Sequence, residues 1–189
     1  MNYSEQIRNY INLEIEILGK LNQEEINKAM NVIERARTEG KTVYVCGNGG
    51  SASTASHLTS DFNKGVSEKL QVAHRFECLC DNVASMMAIA NDISYDDIFE
   101  YPLKRRMRKG DVLIAISGSG NSENVIRAVK YAKKLGNTII GMSGYSGGKL
   151  KELSDVKLHV PVDNMQITED IHLIFNHLMM FILSGKGDA

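Results

Sequence analysis

A chain of 189 residues is long enough to bury a continuous core and short enough to expect one domain. Its 22 basic and 23 acidic side chains nearly cancel to a net charge of −1, so charge gives no reason to expect nucleic acid or an anionic membrane as a partner. No basic-then-apolar leader opens the sequence and no apolar run could span a bilayer, which makes a cytoplasmic location the expectation. The three cysteines, Cys46, Cys78 and Cys80, are an odd number in apolar surroundings and read as reduced core residues. Cys78 and Cys80 would share one face of a strand, a spacing a metal can use, but no second cysteine pair completes such a site.

Two amphipathic helices are expected first. Ile7, Ile11, Ile15 and Leu18 recur at helical spacing between about Ser4 and Leu21. Asn22-Gln23-Glu24-Glu25 starts a second helix to about Thr38, with Ile26, Met30, Ile33 and Ala36 on its apolar face, and Glu39-Gly40 ends it. This leading pair, residues 1–39, could pack on an α/β body formed by 40–189 or on another subunit.

Val43-Tyr44-Val45-Cys46 reads as a buried strand, followed by the turn Gly47-Asn48-Gly49-Gly50-Ser51 and a polar helix carrying His57 and Asp61. The glycines let backbone approach a ligand, Ser51 stands where it can cap the helix, and a helix N-terminus favours an anion. Ala73 to Leu79 forms the next expected strand, then a helix from about Val83 to Ile89, a break at Asn91-Asp92, and a helix from Tyr95 to Met107. Its basic end, Lys104-Arg105-Arg106 and Arg108-Lys109, suits a solvated helix C-terminus.

Asp111 to Ile116 is the clearest buried strand, running into Ser117-Gly118-Ser119-Gly120-Asn121-Ser122 and a helix from about Glu123 to Leu135. A strand over Thr138 to Met142, a short helix to Leu153, a strand over Val156 to Val160 and a closing helix from Gln166 to Leu183 complete the chain. Alternating strands and helices, with five strands in all, predict a doubly wound parallel sheet flanked by helices. No linker divides the chain, so 1–189 is expected to be a single domain.

The two loops after buried strands occupy equivalent places, where ligands bind in such sheets. Hydroxyls at Ser117, Ser119 and Ser122, with main-chain N–H groups, suit a phosphate monoester. The absence of a lysine after the loop argues against a nucleotide P-loop, and the absence of G-x-G-x-x-G with a following acid argues against a dinucleotide. A sugar phosphate is the expected ligand.

In order along the chain, Gly47-Asn48-Gly49-Gly50-Ser51 with His57, Asn91-Asp92, Ser117-Gly118-Ser119-Gly120-Asn121-Ser122, Glu169 and His177 resemble the SIS (sugar isomerase) domain family, in particular its phosphoheptose isomerases. The resemblance implies a flavodoxin-like SIS fold and a cytoplasmic homotetramer whose active sites are shared between subunits. It implies isomerisation of sedoheptulose 7-phosphate to D-glycero-D-manno-heptose 7-phosphate. It carries substrate binding to Asn48, Gly49, Gly50, Ser51, Asp92, Ser117, Gly118, Ser119, Ser122 and Glu169. It also carries one zinc ion per subunit to His57, Asp61, Glu169 and His177, with Asp61 and His177 as the acid–base pair.

Asp61 and Glu169 stand where the family has a glutamate and a glutamine. His57 and Asp61 at i,i+4 share a helix face and can meet one ion. Glu169 and His177 are eight positions apart, about 12 Å along a straight helix, so a common ion needs a helix break or a second subunit. His172 on the same helix reads equally well as structural or as a supporting residue. Within the same family, phosphosugar-sensing regulators and a replication-initiator-associating protein are the alternative expectation, as is an isomerase of another phosphosugar.

Overall fold

The structure, a computed structural model, describes residues 1–186; the remaining positions of the expected 1–189 unit lie outside the described residues. Five strands form one parallel sheet: β1 (Val43–Gly47), β2 (Phe76–Cys78), β3 (Val112–Ser117), β4 (Thr138–Ser143) and β5 (Val156–His159), in the order β2-β1-β3-β4-β5. The alternation of elements predicts the doubly wound parallel sheet, and the flavodoxin-like order is the one that the family resemblance implies. β3 is central and buried along its whole length, as a strand covered on both faces must be. Val112, Ile114 and Ile116 point into one apolar cluster, and Leu113 and Ala115 into the other.

The helices divide accordingly. α1 (Ser4–Leu18), α2 (Gln23–Thr38), α3 (Gly50–Ser60) and α8 (Met165–Phe181) lie on the first face, with Ile33, Leu58, Phe62, Ile171 and Phe175 in its core. α4 (Val83–Asp92), α5 (Glu100–Arg106), α6 (Glu123–Lys134) and α7 (Gly148–Leu153) cover the second, around Phe99, Leu103, Ile126 and Val129. Asparagine caps start three of these helices: the side chains of Asn22, Asn82 and Asn164 accept from the N–H groups of Glu25, Ser85 and Ile167 at 3.1, 2.9 and 3.1 Å.

Several boundaries differ from the expected ones. α4 continues through Asn91 and Asp92 rather than breaking there, and ends at Ile93. The expected helix from Tyr95 to Met107 is a 3-10 turn, Tyr95–Asp97, followed by α5. Pro102 accounts for the split, since its ring nitrogen cannot donate to the Ile98 carbonyl in a continuous helix. β2 is only three residues long, and side chains satisfy the backbone at and before its start: Ser67 Oγ accepts from His74 N–H at 2.8 Å and Asn63 Oδ1 from Phe76 N–H at 2.8 Å. His74 in turn meets Glu34 at 2.8 Å, which ties the segment after α3 to α2.

The leading helices behave differently from each other. α2 buries Ile26, Ala29, Ile33 and Ala36, whereas α1 buries only Ile17 and leaves Ile7, Ile11 and Ile15 at least half exposed. Tyr10 anchors α1 by donating its hydroxyl to Asp170 on α8, a bond that pushes the phenol up to about 12.

The cysteines are free and sit in or beside the core, with the Cys46 thiol pushed up by burial. His172 is 1 % exposed with neither ring nitrogen hydrogen-bonded. Burial lowers it to about 4, against a weaker opposing contact with the Ser143 backbone. Because the folded value lies below the unfolded one, near 6.5, the unfolded chain takes up the proton first. Stability is therefore complete above about pH 6.5 and falls as the pH drops toward 4, by about 3 kcal/mol from this residue. His74 and His159, also lowered by burial, add to the slope. Urea denaturation at stepped pH should show this decline, and His172→Leu should flatten it.

Candidate functional site

Two loops meet at the switch point of the sheet, between β1 and β3, where successive helices depart to opposite faces. The β1–β3 register pairs Gly47 with Ile116, so the turn after β1 and the turn after β3 start at one level. Gly49 begins α3 from a positive φ of 54°, a conformation open to glycine. Gly120 has a φ of 69°, and a Cβ there would lie 1.9 Å from the Gly147 carbonyl oxygen. Both loops are thus held in shapes that other residues would strain.

Between them lies a cleft of about 190 Å³ lined by Asn48, Ser51, Ser117, Gly118, Ser119 and Ser122 from the loops, with Ile116 below and Met165 and Glu169 from α8. Ser51 is not the cap of α3; Gly49 holds that place, and Ser51 falls inside the first turn and lines the cleft. Ser122 does stand at the N-cap of α6, but its hydroxyl makes no capping bond and meets Ser117 Oγ at 3.1 Å. Ser119 Oγ accepts the Asn121 N–H at 3.3 Å. Ser51, Ser117, Ser119 and Ser122 line one small volume beside the N-terminal ends of α3 and α6, a setting suited to anionic oxygens without a lysine.

Asn48 is fixed by two partners that sequence reasoning missed. Its amide and that of Asn124 exchange hydrogen bonds at 2.9 Å in both directions, and the Tyr95 hydroxyl donates to Asn48 Oδ1 at 3.0 Å. Asn124 is buried on α6 and Tyr95 comes from the 3-10 turn. Two asparagines 76 positions apart carry no local pattern that would have linked them. Asp92 is not in the cleft: it lies exposed at the end of α4, where its carboxylate accepts from Asn91 at 2.8 Å.

The second group of residues lies farther along α3 and α8. His57 Nε2 stands 3.3 Å and His177 Nε2 4.0 Å from Asp61 Oδ2, and the two imidazoles meet edge to face with centroids 5.1 Å apart. Packing of Leu58 and Phe62 with Ile171 and Phe175 brings these helices together. Asp61 opens a π-helical turn, Asp61–Val66, where α3 ceases to be regular; such turns recur at functional positions. One ligand atom from each of the three residues lies within 4.8 Å of the others. Two imidazoles and a carboxylate in a tetrahedral zinc shell would sit about 3.4 Å apart, given bonds near 2.1 Å, so the donor set fits a divalent ion.

Glu169, expected as a fourth ligand, is not brought into this group. α8 is unbroken from Met165 to Phe181, so Glu169 and His177 stay two turns apart. The Glu169 carboxylate instead packs on Gly50, where an added Cβ would fall 2.5 Å from it, and it forms part of the cleft wall. No cysteine joins the group of possible ligands among the described residues. A further residue, Asn176, donates its amide to Asp61 Oδ2 at 2.7 Å.

Comparison with known proteins agrees with this fold. The family described as SIS domain matches residues 3–144. The chain is 35% identical to the phosphoheptose isomerase of Aliarcobacter butzleri over 87% of its length and 86% of that protein's. It is 36% identical to that of Clostridium acetobutylicum over 86% and 83%. Among solved structures it is similar to the phosphoheptose isomerase GmhA of Neisseria gonorrhoeae, with a TM-score of 0.89 at 27% identity, covering 97% of this chain and all of that one.

The buried amide pair gives a direct test of the first loop. Asn124→Ala leaves the Asn48 amide without its partner and should cost about 1–3 kcal/mol in urea denaturation. Tyr95→Phe, at an exposed position, should cost less than about 1 kcal/mol in the same measurement.

Proposed function

The chain belongs to the SIS domain family and, within it, to the phosphoheptose isomerases, and from that premise we propose that it interconverts a ketose phosphate and an aldose phosphate. The substrate pair is sedoheptulose 7-phosphate and D-glycero-D-manno-heptose 7-phosphate. The observation that carries this reading is the spacing of the two groups of residues. Ser51 and His57 are six positions apart on α3, about 9 Å of helix rise. A phosphate in the serine cleft would therefore leave the far end of a seven-carbon chain near His57, Asp61 and His177.

In this reading Ser117, Gly118, Ser119 and Ser122 hold the phosphate with their hydroxyls and N–H groups. Asn48, Gly49, Gly50 and Ser51 form the facing wall, and Glu169 accepts from sugar hydroxyls. Asp61 removes the proton from C1 of the ketose and returns it to C2 of the enediol, which yields the aldose. His177 gives and takes protons at the two substrate oxygens. The phosphate contacts, remote from the reacting carbons, hold C1 and C2 against the carboxylate. His57, Asp61 and His177 would hold one zinc ion per subunit, which supplies polarisation of the substrate carbonyl when bound.

The proposal extends to a cytoplasmic homotetramer formed by single-domain chains spanning 1–189. The exposed Ile7, Ile11 and Ile15 of α1 support it, as an apolar stripe that a second copy would cover. Asp92, exposed and outside the cleft, would touch sugar as part of a neighbouring subunit's site. No described helix is long and apolar enough to cross a membrane.

The experiment is metal analysis of the purified protein, then turnover of sedoheptulose 7-phosphate before and after chelation. About one zinc per subunit and chelator-sensitive turnover are expected. Asp61→Asn should lower kcat by about 10²–10⁴-fold, with binding of the phosphosugar retained. Absence of turnover, or an Asp61→Asn variant as active as the unaltered chain, would overturn the reading.

A further inference from the structure

Asn176 is completely buried on α8, immediately before His177. Its side-chain amide donates to Asp61 Oδ2 at 2.7 Å, while its own carbonyl oxygen, Oδ1, is buried with no partner. The oxygen it binds is the one approached by His57 at 3.3 Å and His177 at 4.0 Å. Three groups thus converge on one carboxylate oxygen, one of them from the buried side.

The energetics of this arrangement are unfavourable to folding. Leaving one half of a buried amide unsatisfied costs stability, and an apolar side chain of similar volume would not. What the amide supplies is direction. The terminal torsion of an aspartate is broad, so the carboxylate has no strongly preferred orientation of its own. Asp61 also begins the π-helical turn, so the regular α-helix stops at its position.

We infer that Asn176 is a positioning residue. Its amide holds Asp61 Oδ2 toward the two imidazoles, and through Asp61 it sets the affinity of the His57–Asp61–His177 group for a divalent ion. The effect on turnover rests on the isomerase reading above; the effect on ion binding does not.

The test uses the full chain stripped of metal. Zinc affinity is measured by competition with a chromophoric chelator for the unaltered protein, Asn176→Leu, Asn176→Ala, Asp61→Ala and the Asp61→Ala/Asn176→Leu double variant. Thermal midpoints of the metal-free forms and kcat and KM for sedoheptulose 7-phosphate accompany it. Asn176→Leu should fold with a midpoint equal to or above that of the unaltered chain. Its zinc affinity should be weaker by about 10–100-fold, the usual effect of removing an outer partner of a ligand. Its kcat should fall while KM changes little, and adding it to Asp61→Ala should cost nothing further. Asn176→Ala should weaken zinc in the same way.

Unchanged zinc affinity in both Asn176 variants, an equal loss in the Asp61→Ala background, or no zinc binding by the unaltered chain would overturn the inference. If the unaltered chain binds zinc but does not turn over the sugar, the isomerase reading fails, and the titrations still decide the role of Asn176.

Discussion

The packing of α3 on α8 is the contact on which the rest of the site depends. Leu58 and Phe62 from one side and Ile171 and Phe175 from the other are all at most 1 % exposed, and with Ile114 and Ile116 of β3 they form one apolar cluster. Burial of that cluster is non-directional, but it fixes the distance between the helices. Once they are in contact, the polar residues one or two positions away are held close to one another. His57 and Asp61 on one side and Asn176 and His177 on the other then meet across the contact.

That contact also places polar groups where they are costly. Thr59, Thr168, His172 and Asn176 each carry a buried polar side-chain atom without a partner. Three of them, Thr168, His172 and Asn176, recur every fourth position of α8 and so share one face. An apolar residue at any of these places would favour folding more. Their concentration beside the two groups of site residues matches a general pattern, in which local departures from the best-folding choice gather where chemistry is done. Asn176 has a visible task; the structure offers none for Thr59 or Thr168.

The cleft follows from a separate constraint, the topology of the sheet. Because β1 and β3 are adjacent and send α3 and α6 to opposite faces, the chain opens a crevice at their carboxyl ends without any side chain having to hold it apart. The two glycine turns let main-chain N–H groups reach its floor. The cleft and the His57–Asp61–His177 group are thereby supported by different parts of the fold. The first depends on strand register and loop shape, the second on helix packing.

Much of this was legible in the chain itself. The alternation of strands and helices and the uninterrupted apolar run of β3 pointed to the parallel sheet, and the serine loop to the cleft beyond it, since each is a local pattern. The i,i+4 relation of His57 and Asp61 was likewise local. The resemblance to the family added His177 and Glu169, but treated them as ligands of one ion. Their spacing already called for a helix break or a second subunit; the structure shows α8 unbroken, with Glu169 at the cleft and His177 beside Asp61, and sequence spacing cannot say which neighbour a helix face will meet. The Asn48–Asn124 pair and the Asn176–Asp61 bond were invisible for the same reason. An asparagine has no periodic signature, and partners 76 and 115 positions apart are joined only when the core closes. What the sequence determined was the set of elements and their chemistry; which side chains act together was decided by the order of the strands and by the packing of α3 on α8.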